Sequence, residues 1–232
     1  MSYALNLEKS FISKKLKIQK SDLINSACRI NYDSYAIYIN QELADTYPLI
    51  KGFILDCYKD NSDFCNSFGL NTEFGKMIPN QLKDKMILDS FFDDGYQKLT
   101  FNNWQTGHYL LINNAGIPFG IFGICDKAGF PTDYETLDSN NNCKSIFELP
   151  SNSVLFSIAI SKKFRRRGLS VKVTNFFSQL FENHPVFETI SINNAANQKA
   201  VEKMGFKSIG RHFPSDPFKA PILLYTNTDI EI

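Results

Sequence analysis

Fifteen consecutive residues decide the fold of this chain: Phe156-Ser-Ile-Ala-Ile-Ser-Lys-Lys-Phe-Arg-Arg-Arg-Gly-Leu-Ser170. The first five belong to an apolar run, Val154–Ile160, that is typical of a strand in the centre of a sheet. After the basic residues, apolar positions recur with helical spacing from about Gly168 to Asn183. The stretch therefore predicts a central strand, a basic turn and the N-terminus of a helix.

The chemistry of the basic turn favours a bound phosphate group. A helix N-terminus presents free N–H groups and a partial positive charge, and glycine lets the backbone approach a ligand closely. Five of the six residues from Lys162 to Arg167 are basic. The sequence has neither a GxxxxGK(S/T) loop nor a GxGxxG loop, which excludes those two nucleotide-binding motifs. The alternative is a solvated basic loop that precedes a helix.

The rest of the second half of the chain alternates between strands and helices. Tyr109–Ile112 and Pro118–Cys125 flank Asn113–Gly116, a segment that tolerates positive φ, and together they predict a β-hairpin. A polar connection is expected at Lys127–Lys144. Later elements are predicted as strands at Thr189–Ile192, Lys207–His212 and Ile222–Thr226, and as a helix at Ala195–Met204 that Gly205 ends. The predicted fold class is α/β, with flanking helices on a mixed sheet of about six to seven strands.

The first half of the chain is expected to be mainly helical. Leu16 and Ile18 indicate a short strand, and Ser21-Asp22 resembles a helix N-cap. The apolar residues of Leu23–Leu43 predict one or two helices. Two further helices are predicted at residues 49–58 and 81–92, with a polar loop at 61–80 between them.

The basic turn resembles the acyl-CoA signature (R/Q)-x-x-G-x-(G/A) of the GNAT acetyltransferase superfamily. Arg165 takes the Arg/Gln position and Gly168 that of the first glycine, while Ser170 stands where glycine or alanine is usual. A second block, Asn194-Ala-Ala-Asn-Gln-Lys-Ala-Val-Glu-Lys-Met-Gly-Phe206, is similar to a later Asn…K-x-G-F element of that family. The resemblance covers roughly residues 105–230.

The resemblance implies one acyl-CoA N-acyltransferase-like domain over residues 1–232, in which residues 48–104 form an enlarged helical insertion that shapes the acceptor side. It also implies that the strands at 154–160 and 189–192 are parallel neighbours that splay apart around the pantetheine arm. The implied cofactor contacts are Ile158, Ala159 and Ile160 on the strand, Arg165, Arg166, Arg167, Gly168, Leu169 and Ser170 at the turn, and Asn194 and Asn197 on the far wall. The alternative for either asparagine is a helix N-cap, and for Asn194 the two roles are equally open and compatible with each other.

The implied reaction moves an acetyl group from acetyl-CoA to an amine of a small molecule or protein, by direct attack in a ternary complex. A main-chain N–H of Ile158 or Ala159 would stabilise the oxyanion. Many members protonate the thiolate with a tyrosine at the position that Val201 occupies here. The candidates for the base are Glu148, just before the central strand, and then His108 and Tyr109. The alternative for Glu148 is an ordinary surface position.

Two other functions stay open on the sequence alone. A CoA-binding module with little or no catalysis would fit the valine at position 201. A nucleic-acid or phosphoprotein binder would use Lys162–Arg167, but the chain has 25 basic and 24 acidic residues and no second basic patch. The balance of charge therefore argues against nucleic acid and membrane surfaces as partners.

Composition also bears on compartment and metals. No stretch has the length of a signal-peptide core or a membrane span. The five cysteines are irregularly spaced, form no CxxC pair and lie at no ligand-like distance from a histidine, which is typical of thiols in a reducing cytosol. We therefore expect a cytoplasmic protein that uses acetyl-CoA and an amine acceptor, without a metal. A homodimer is left open.

Overall fold

The computed structural model describes residues 13–14, 16–17, 27–31, 34–59, 61, 65, 69–93, 100–101, 104–126, 134–137, 143–147, 149–213 and 221–228. The main helices in these ranges are α1 (Gln41–Thr46), α2 (Pro48–Tyr58), α3 (Glu73–Met77), α4 (Asn80–Phe91), α5 (Leu169–Leu180) and α6 (Ala195–Glu202). The strands are β1 (Ala27–Asn31), β2 (Ser34–Ile39), β3 (Thr100–Phe101), β4 (Trp104–Gln105), β5 (Gly107–Asn113), β6 (Pro118–Asp126), β7 (Tyr134–Leu137), β8 (Cys143–Phe147), β9 (Val154–Ile160), β10 (Val186–Ser191), β11 (Lys207–His212) and β12 (Ile222–Thr226).

Ten of these strands form one sheet, in the order β1-β2-β5-β6-β9-β10-β12-β11-β7-β8. The β9–β10 pair is parallel, and the other described pairs of this sheet are antiparallel. The predicted mixed α/β sheet with flanking helices is therefore confirmed, with more strands than expected. None of the helices within the described residues has the length and apolar character that a bilayer crossing requires.

The parallel ladder between β9 and β10 is short. It begins at the pair Val154–Val186 and ends at the pair Phe156–Glu188. Both strands continue beyond that point without pairing to each other. The two central strands therefore part after Phe156 and leave a V-shaped cleft, as the resemblance implies.

The prediction of one or two helices at Leu23–Leu43 is wrong for most of this segment. Its described residues form the antiparallel strands β1 and β2, and of these residues only the last belong to a helix, α1. Both faces of β2 are covered, since Ala36 belongs to one hydrophobic cluster and Ile37 to another. A strand buried on both faces has a continuous apolar run, which periodicity cannot distinguish from a buried helix.

The sequence also predicts a strand at Leu16 and Ile18 and a helix N-cap at Ser21-Asp22. Leu16 lies in a short helical turn rather than in a strand, and it is buried against the helices. A single apolar position of this kind fits either structure. Ile18 and Ser21-Asp22 fall outside the described residues.

Two segments predicted as polar connections contain regular structure. Lys127–Lys144 includes β7 and the start of β8, and β7 joins the sheet where Arg211 Nε donates to Glu135 Oε2 at 3.3 Å. The 61–80 loop contains α3, which Thr72 caps by accepting from the N–H of Gly75. Strands at a sheet edge and short capped helices carry little apolar periodicity, so their sequences resemble loops.

Hydrophobic clusters cover the two faces of the sheet. Helices α1, α2 and α4 pack on the face that carries Leu110 and Ile121, here called the α2 face. Helices α5 and α6 pack on the face that carries Phe122 and Phe156, here called the α5 face. On the latter, Phe122 stacks on Phe177 of α5 with ring centroids 4.0 Å apart. Burial of each such aromatic side chain contributes about 2 kcal/mol to the free energy of folding. This packing fixes α5 beside β9.

Candidate functional site

Two residues with positive φ turn the chain from β9 into α5. After a single 3-10 turn at Lys162–Phe164, Arg166 has φ 64° and Gly168 has φ 68°. Glycine adopts this region at little cost, whereas a residue with a Cβ is strained there by roughly 1 kcal/mol. The two positive φ values together make the sharp turn that leads from the end of β9 into α5.

The N-terminus of α5 has no side-chain cap among the described residues. Gly168 is the N-cap residue, and the first intrahelical bond runs from the Lys172 N–H to the Gly168 carbonyl at 3.2 Å. The N–H groups of Leu169 and Ser170 come before that bond and have no intrahelical acceptor. A Cβ placed on Gly168 would meet no atom within 4 Å. The Cβ position of Gly168 is therefore open and adjoins N–H donors that have no intrahelical acceptor, an arrangement suited to an anion.

The basic side chains of the turn have different roles. Arg165 reaches back, and its Nε donates to the carbonyl oxygen of the last β9 residue at 2.8 Å. Arg167 donates to the Lys163 carbonyl at 3.1 Å and lies over the Phe164 ring, 5.2 Å from its centroid. Arg166 is exposed. Two of the three arginines thus brace the turn, while Arg166 projects toward solvent.

The main chain of β9 alternates between its two neighbours. The Val154 N–H donates to the Pro185 carbonyl at 2.9 Å, on the β10 side, and the Ser161 N–H donates to the Phe119 carbonyl at 3.0 Å, on the β6 side. The N–H and C=O of one strand residue point the same way, and successive residues point in opposite directions. Even-numbered residues of β9 therefore direct their main chain toward β10.

Ile158 and Ile160 are the predicted contact residues whose main chain faces the cleft. They lie beyond the last β9–β10 pair, so that ladder does not use their polar groups. The Ile160 carbonyl accepts from Arg165, which leaves one of its two lone pairs. Ala159 points the other way and is paired with Ile121 of β6. The cleft thus receives the N–H and C=O of Ile158 and the N–H of Ile160.

The far wall of the cleft is formed by the end of β10 and the start of α6. Asn194 is the N-cap of α6, and its Oδ1 accepts from the Asn197 N–H at 3.2 Å. Gln198 closes the strand end, since its Nε2 donates to the carbonyls of Ser191 and Ile192 at 3.1 and 3.0 Å. The capping role left open for Asn194 is therefore observed, and its contact with the cofactor stays a prediction. The sequence reasoning passed over Gln198, although it lies inside the second block.

Val201 is fully buried in the hydrophobic cluster of the α5 face. Tyr225 on β12 belongs to the same cluster, and its hydroxyl donates to Glu202 Oε1 at 3.5 Å. Burial and the adjacent Glu202 carboxylate raise the pKa of Tyr225 to about 12. Neither residue supplies an acid poised to donate a proton at neutral pH.

The three candidate bases differ in position. Glu148 lies outside the described residues. Tyr109 is fully buried on the α5 face, and its hydroxyl donates to the Gln105 carbonyl at 2.6 Å. His108 lies on the α2 face and stacks on Phe91 with ring centroids 4.1 Å apart. Burial lowers the pKa of His108 to about 4, so its imidazole is neutral at neutral pH.

His108 is linked to β9 through a glycine. His108 pairs with Gly123, and Gly123 pairs with Ser157. A Cβ on Gly123 would lie 2.3 Å from Ser157 Oγ and 3.5 Å from His108 Nε2, so both side chains converge above this glycine. Ser157 was not among the sequence candidates, because only the register of three strands reveals this row.

A second link joins the turn to the α2 face. The Ser161 hydroxyl donates to Asp56 Oδ2 at 2.6 Å. Asp56 belongs to α2 and lies 105 residues from Ser161 in the chain, so the sequence does not predict this pairing. Among the described residues, no group of three or more His, Cys, Asp or Glu side chains could hold a metal ion.

Comparison with known proteins gives a result at the level of structure. No protein-family model matches the sequence, and no curated protein is significantly similar to it. Solved structures do match: an uncharacterized protein from Bacillus halodurans has a TM-score of 0.53 at 12% identity, covering 87% of this chain and 90% of its own. The microcin C7 self-immunity acetyltransferase MccE, in complex with acetyl-CoA and AMP, has a TM-score of 0.51 at 10% identity, covering 89% and 98%.

A third match is RimL, the ribosomal L7/L12 alpha-N-protein acetyltransferase in complex with coenzyme A. Its TM-score is 0.50 at 8% identity, covering 87% of this chain and 97% of its own. The chain has the GNAT fold. The two sequence blocks lie around the cleft of this fold. The first block includes the end of β9 and the turn at residues 165–170, and the second follows β10 and includes α6. The predicted fold is confirmed. At sequence identities of 8–12%, the similarity to these structures is a similarity of fold.

Proposed function

We propose that this protein is an acetyl-CoA-dependent N-acetyltransferase. The observation that carries the proposal is the splayed β9–β10 pair, whose unpaired main chain leads directly to the uncapped N-terminus of α5. Support comes from two proteins of similar fold, since RimL is found with coenzyme A and MccE with acetyl-CoA and AMP. The acceptor is an amine of a small molecule or a protein.

The pyrophosphate of acetyl-CoA would bind at the turn. The main-chain N–H groups from Arg165 to Ser170, with Gly168 and Leu169 among them, provide donors and the positive end of α5. Arg166 would add charge from solvent. Arg165 and Arg167 would act mainly by holding the turn, since both already donate to main-chain carbonyls. The open space at Gly168 fits a phosphate group.

The pantetheine arm would run along β9, where the main chain of Ile158 and Ile160 faces the cleft. Asn194 and Asn197 would contact the cofactor from the far wall, in addition to the capping bond between them. We prefer Ile158 to Ala159 as the oxyanion donor, because the Ala159 N–H faces β6. A preorganised N–H of this kind stabilises the charge that develops on the thioester oxygen.

The proposed reaction is direct attack in a ternary complex. The neutral amine nitrogen forms a C–N bond with the acetyl carbonyl, the C–S bond breaks, and the amine proton passes through solvent to the departing sulfur. Proximity of the two substrates supplies much of the rate. Glu148 remains the first candidate for the base from its place before β9. With Val201 buried, we assign protonation of the sulfur to water.

We propose that the whole chain acts as one domain and that residues 48–104 shape the acceptor side. Of this segment, α2 and α4 pack on the α2 face, and the Asp56–Ser161 hydrogen bond ties α2 to the turn. The acceptor would then reach the thioester from the α2 face. A CoA-binding module with little catalysis is the second candidate, and the burial of Val201 favours it.

The proposal is tested by two measurements on the full chain. Excess CoA should raise the melting temperature, and acetyl-CoA should release thiol in the presence of a suitable amine from a panel. Stabilisation by CoA without thiol release for any amine would favour the binding module. A melting temperature unchanged by CoA would overturn the assignment of the cleft.

A further inference from the structure

A cavity of about 210 Å³ lies where β2 and β5 meet α1 and the end of α4. Phe91 and Phe92 form part of its wall, with their rings edge to face and 4.9 Å between centroids. His108 and the carboxylates of Glu42 and Asp93 also line it. The cavity thus combines aromatic surface, acidic groups and an imidazole on the acceptor side of the sheet.

The two carboxylates of this cavity have no cationic partner in the part of the chain that the structure describes. Within the described part of the chain, neither Glu42 nor Asp93 forms an ion pair. By contrast, Asp45, Asp84 and Asp89, which line the neighbouring cavity, are each paired with a lysine. A cation is therefore the complementary ligand for the 210 Å³ cavity, and its aromatic rings would add cation–π attraction.

His108 fits the same ligand. No described residue forms a hydrogen bond with its ring nitrogens, and its ring is held in place by stacking on Phe91. A neutral imidazole has one nitrogen that accepts a hydrogen bond, and it does not repel a cation. Because burial lowers the pKa of His108 to about 4, the ring keeps this neutral form at neutral pH.

The cavity is separated from the cofactor cleft by two strand spacings. The row His108–Gly123–Ser157 crosses from β5 through β6 to β9, a distance of about 10 Å. A nitrogen held beside His108 is thus too far from the β9–β10 cleft to be the one acetylated. A molecule that uses both places needs a second amino group.

We propose that this cavity anchors one ammonium group of an aliphatic diamine whose other amino group is acetylated in the cleft. The inference rests on the proposed acetyltransferase function for the second step, whereas binding of the ammonium group stands apart from it. The anchored nitrogen keeps its proton and its bonds to Glu42, Asp93 and His108. The distal nitrogen attacks as the neutral amine.

The test compares 1,8-diaminooctane with 1-aminooctane, which differ only in the anchoring group. We expect kcat/KM to be about tenfold higher for the diamine. The double variant Glu42→Gln/Asp93→Asn should raise KM for the diamine about tenfold, and leave KM for 1-aminooctane and for acetyl-CoA unchanged. Glu182→Gln, an exposed carboxylate just after α5, is the matched control and should change none of these values.

Equal kcat/KM for the two amines, or a double variant that raises KM for both equally, would overturn the inference while acetyl transfer itself stood. If CoA binds without acetyl transfer, or does not bind at all, the ammonium site is tested by thermal shift with 1,8-diaminooctane in the absence of cofactor. A shift in the wild type that the double variant loses supports the cavity as an ammonium site. No shift in the wild type rejects it, independently of the fate of the proposed function.

Discussion

The hydroxyl of Ser161 donates to Asp56 Oδ2 at 2.6 Å and joins two segments that are 105 residues apart in the chain. Ser161 is buried at the start of the turn, and Asp56 lies on α2. This bond fixes α2, which we assign to the acceptor side, to the turn that we assign to phosphate. Loss of the bond should therefore affect both stability and cofactor affinity.

We expect Asp56→Ala to lower the free energy of unfolding by about 1–2 kcal/mol, because it leaves a buried hydroxyl without its acceptor. Urea denaturation measures the loss, and calorimetry with CoA should show weaker binding. Asp56→Asn is the matched control, since it retains an acceptor oxygen and should lose less than half as much. Equal stability of the Ala variant and the wild type would contradict the role of this bond.

Gly168 and Gly205 provide a pair for testing the phosphate site. Their φ values are 68° and 87°, and a Cβ on either would meet no atom within 4 Å. Replacing either by alanine should lower stability by about 1 kcal/mol through backbone strain alone. Only Gly168→Ala should also weaken CoA binding, by about tenfold or more, because its Cβ would take up open space beside the N–H groups that we assign to phosphate. Similar affinity losses in the two variants would argue against a phosphate there.

Arg166 combines backbone strain with exposed charge, and two substitutions separate these effects. Arg166→Gly relieves the positive φ of 64° and should raise the free energy of unfolding by about 1 kcal/mol. Arg166→Ala removes the charge but keeps the strain, so its stability should stay near that of the wild type. Both should weaken CoA binding to a similar extent and reduce its salt dependence. A Gly variant that gains no stability would show that the turn differs in solution.

The sequence predicts the site where its parts are local. Val154–Ile160, the basic turn and α5 follow one another in the chain, so apolar runs and a glycine suffice to place them. The β1–β2 hairpin is not predictable in this way, because β2 is buried on both faces and loses its alternation. The segment forms a strand because β2 pairs with β5, and the periodicity of its apolar residues carries no information on this pairing.

The same reason explains which site residues escape prediction. Asp56 meets Ser161, and His108 meets Ser157 above Gly123, only after distant strands and helices have packed. The carboxylates of Glu42 and Asp93 are likewise brought to one cavity from α1 and the end of α4. The proposed cofactor site is therefore indicated by motif residues, whereas the proposed acceptor side depends on tertiary contacts.

His108 should make the protein sensitive to acid. Burial lowers its pKa to about 4 in the folded state, whereas an unfolded histidine has a pKa near 6.5. Above about pH 7.5 both states are almost entirely neutral, and the group contributes almost nothing. As pH falls from 6.5 toward 4, the unfolded state binds a proton that the folded state does not, so the free energy of unfolding decreases by up to about 3 kcal/mol.

The variant His108→Phe isolates this contribution, since a phenyl ring can keep the stack on Phe91 and has no proton to bind. Other groups also titrate between pH 7.5 and 4, so the quantity to follow is the difference in unfolding free energy between variant and wild type. Relative to the wild type, the variant should gain stability as pH falls below about 7.5 and show a constant difference above it. Urea denaturation at half-unit pH steps measures this difference. Parallel stability curves across the whole range would mean that His108 is solvated and charged in the folded protein.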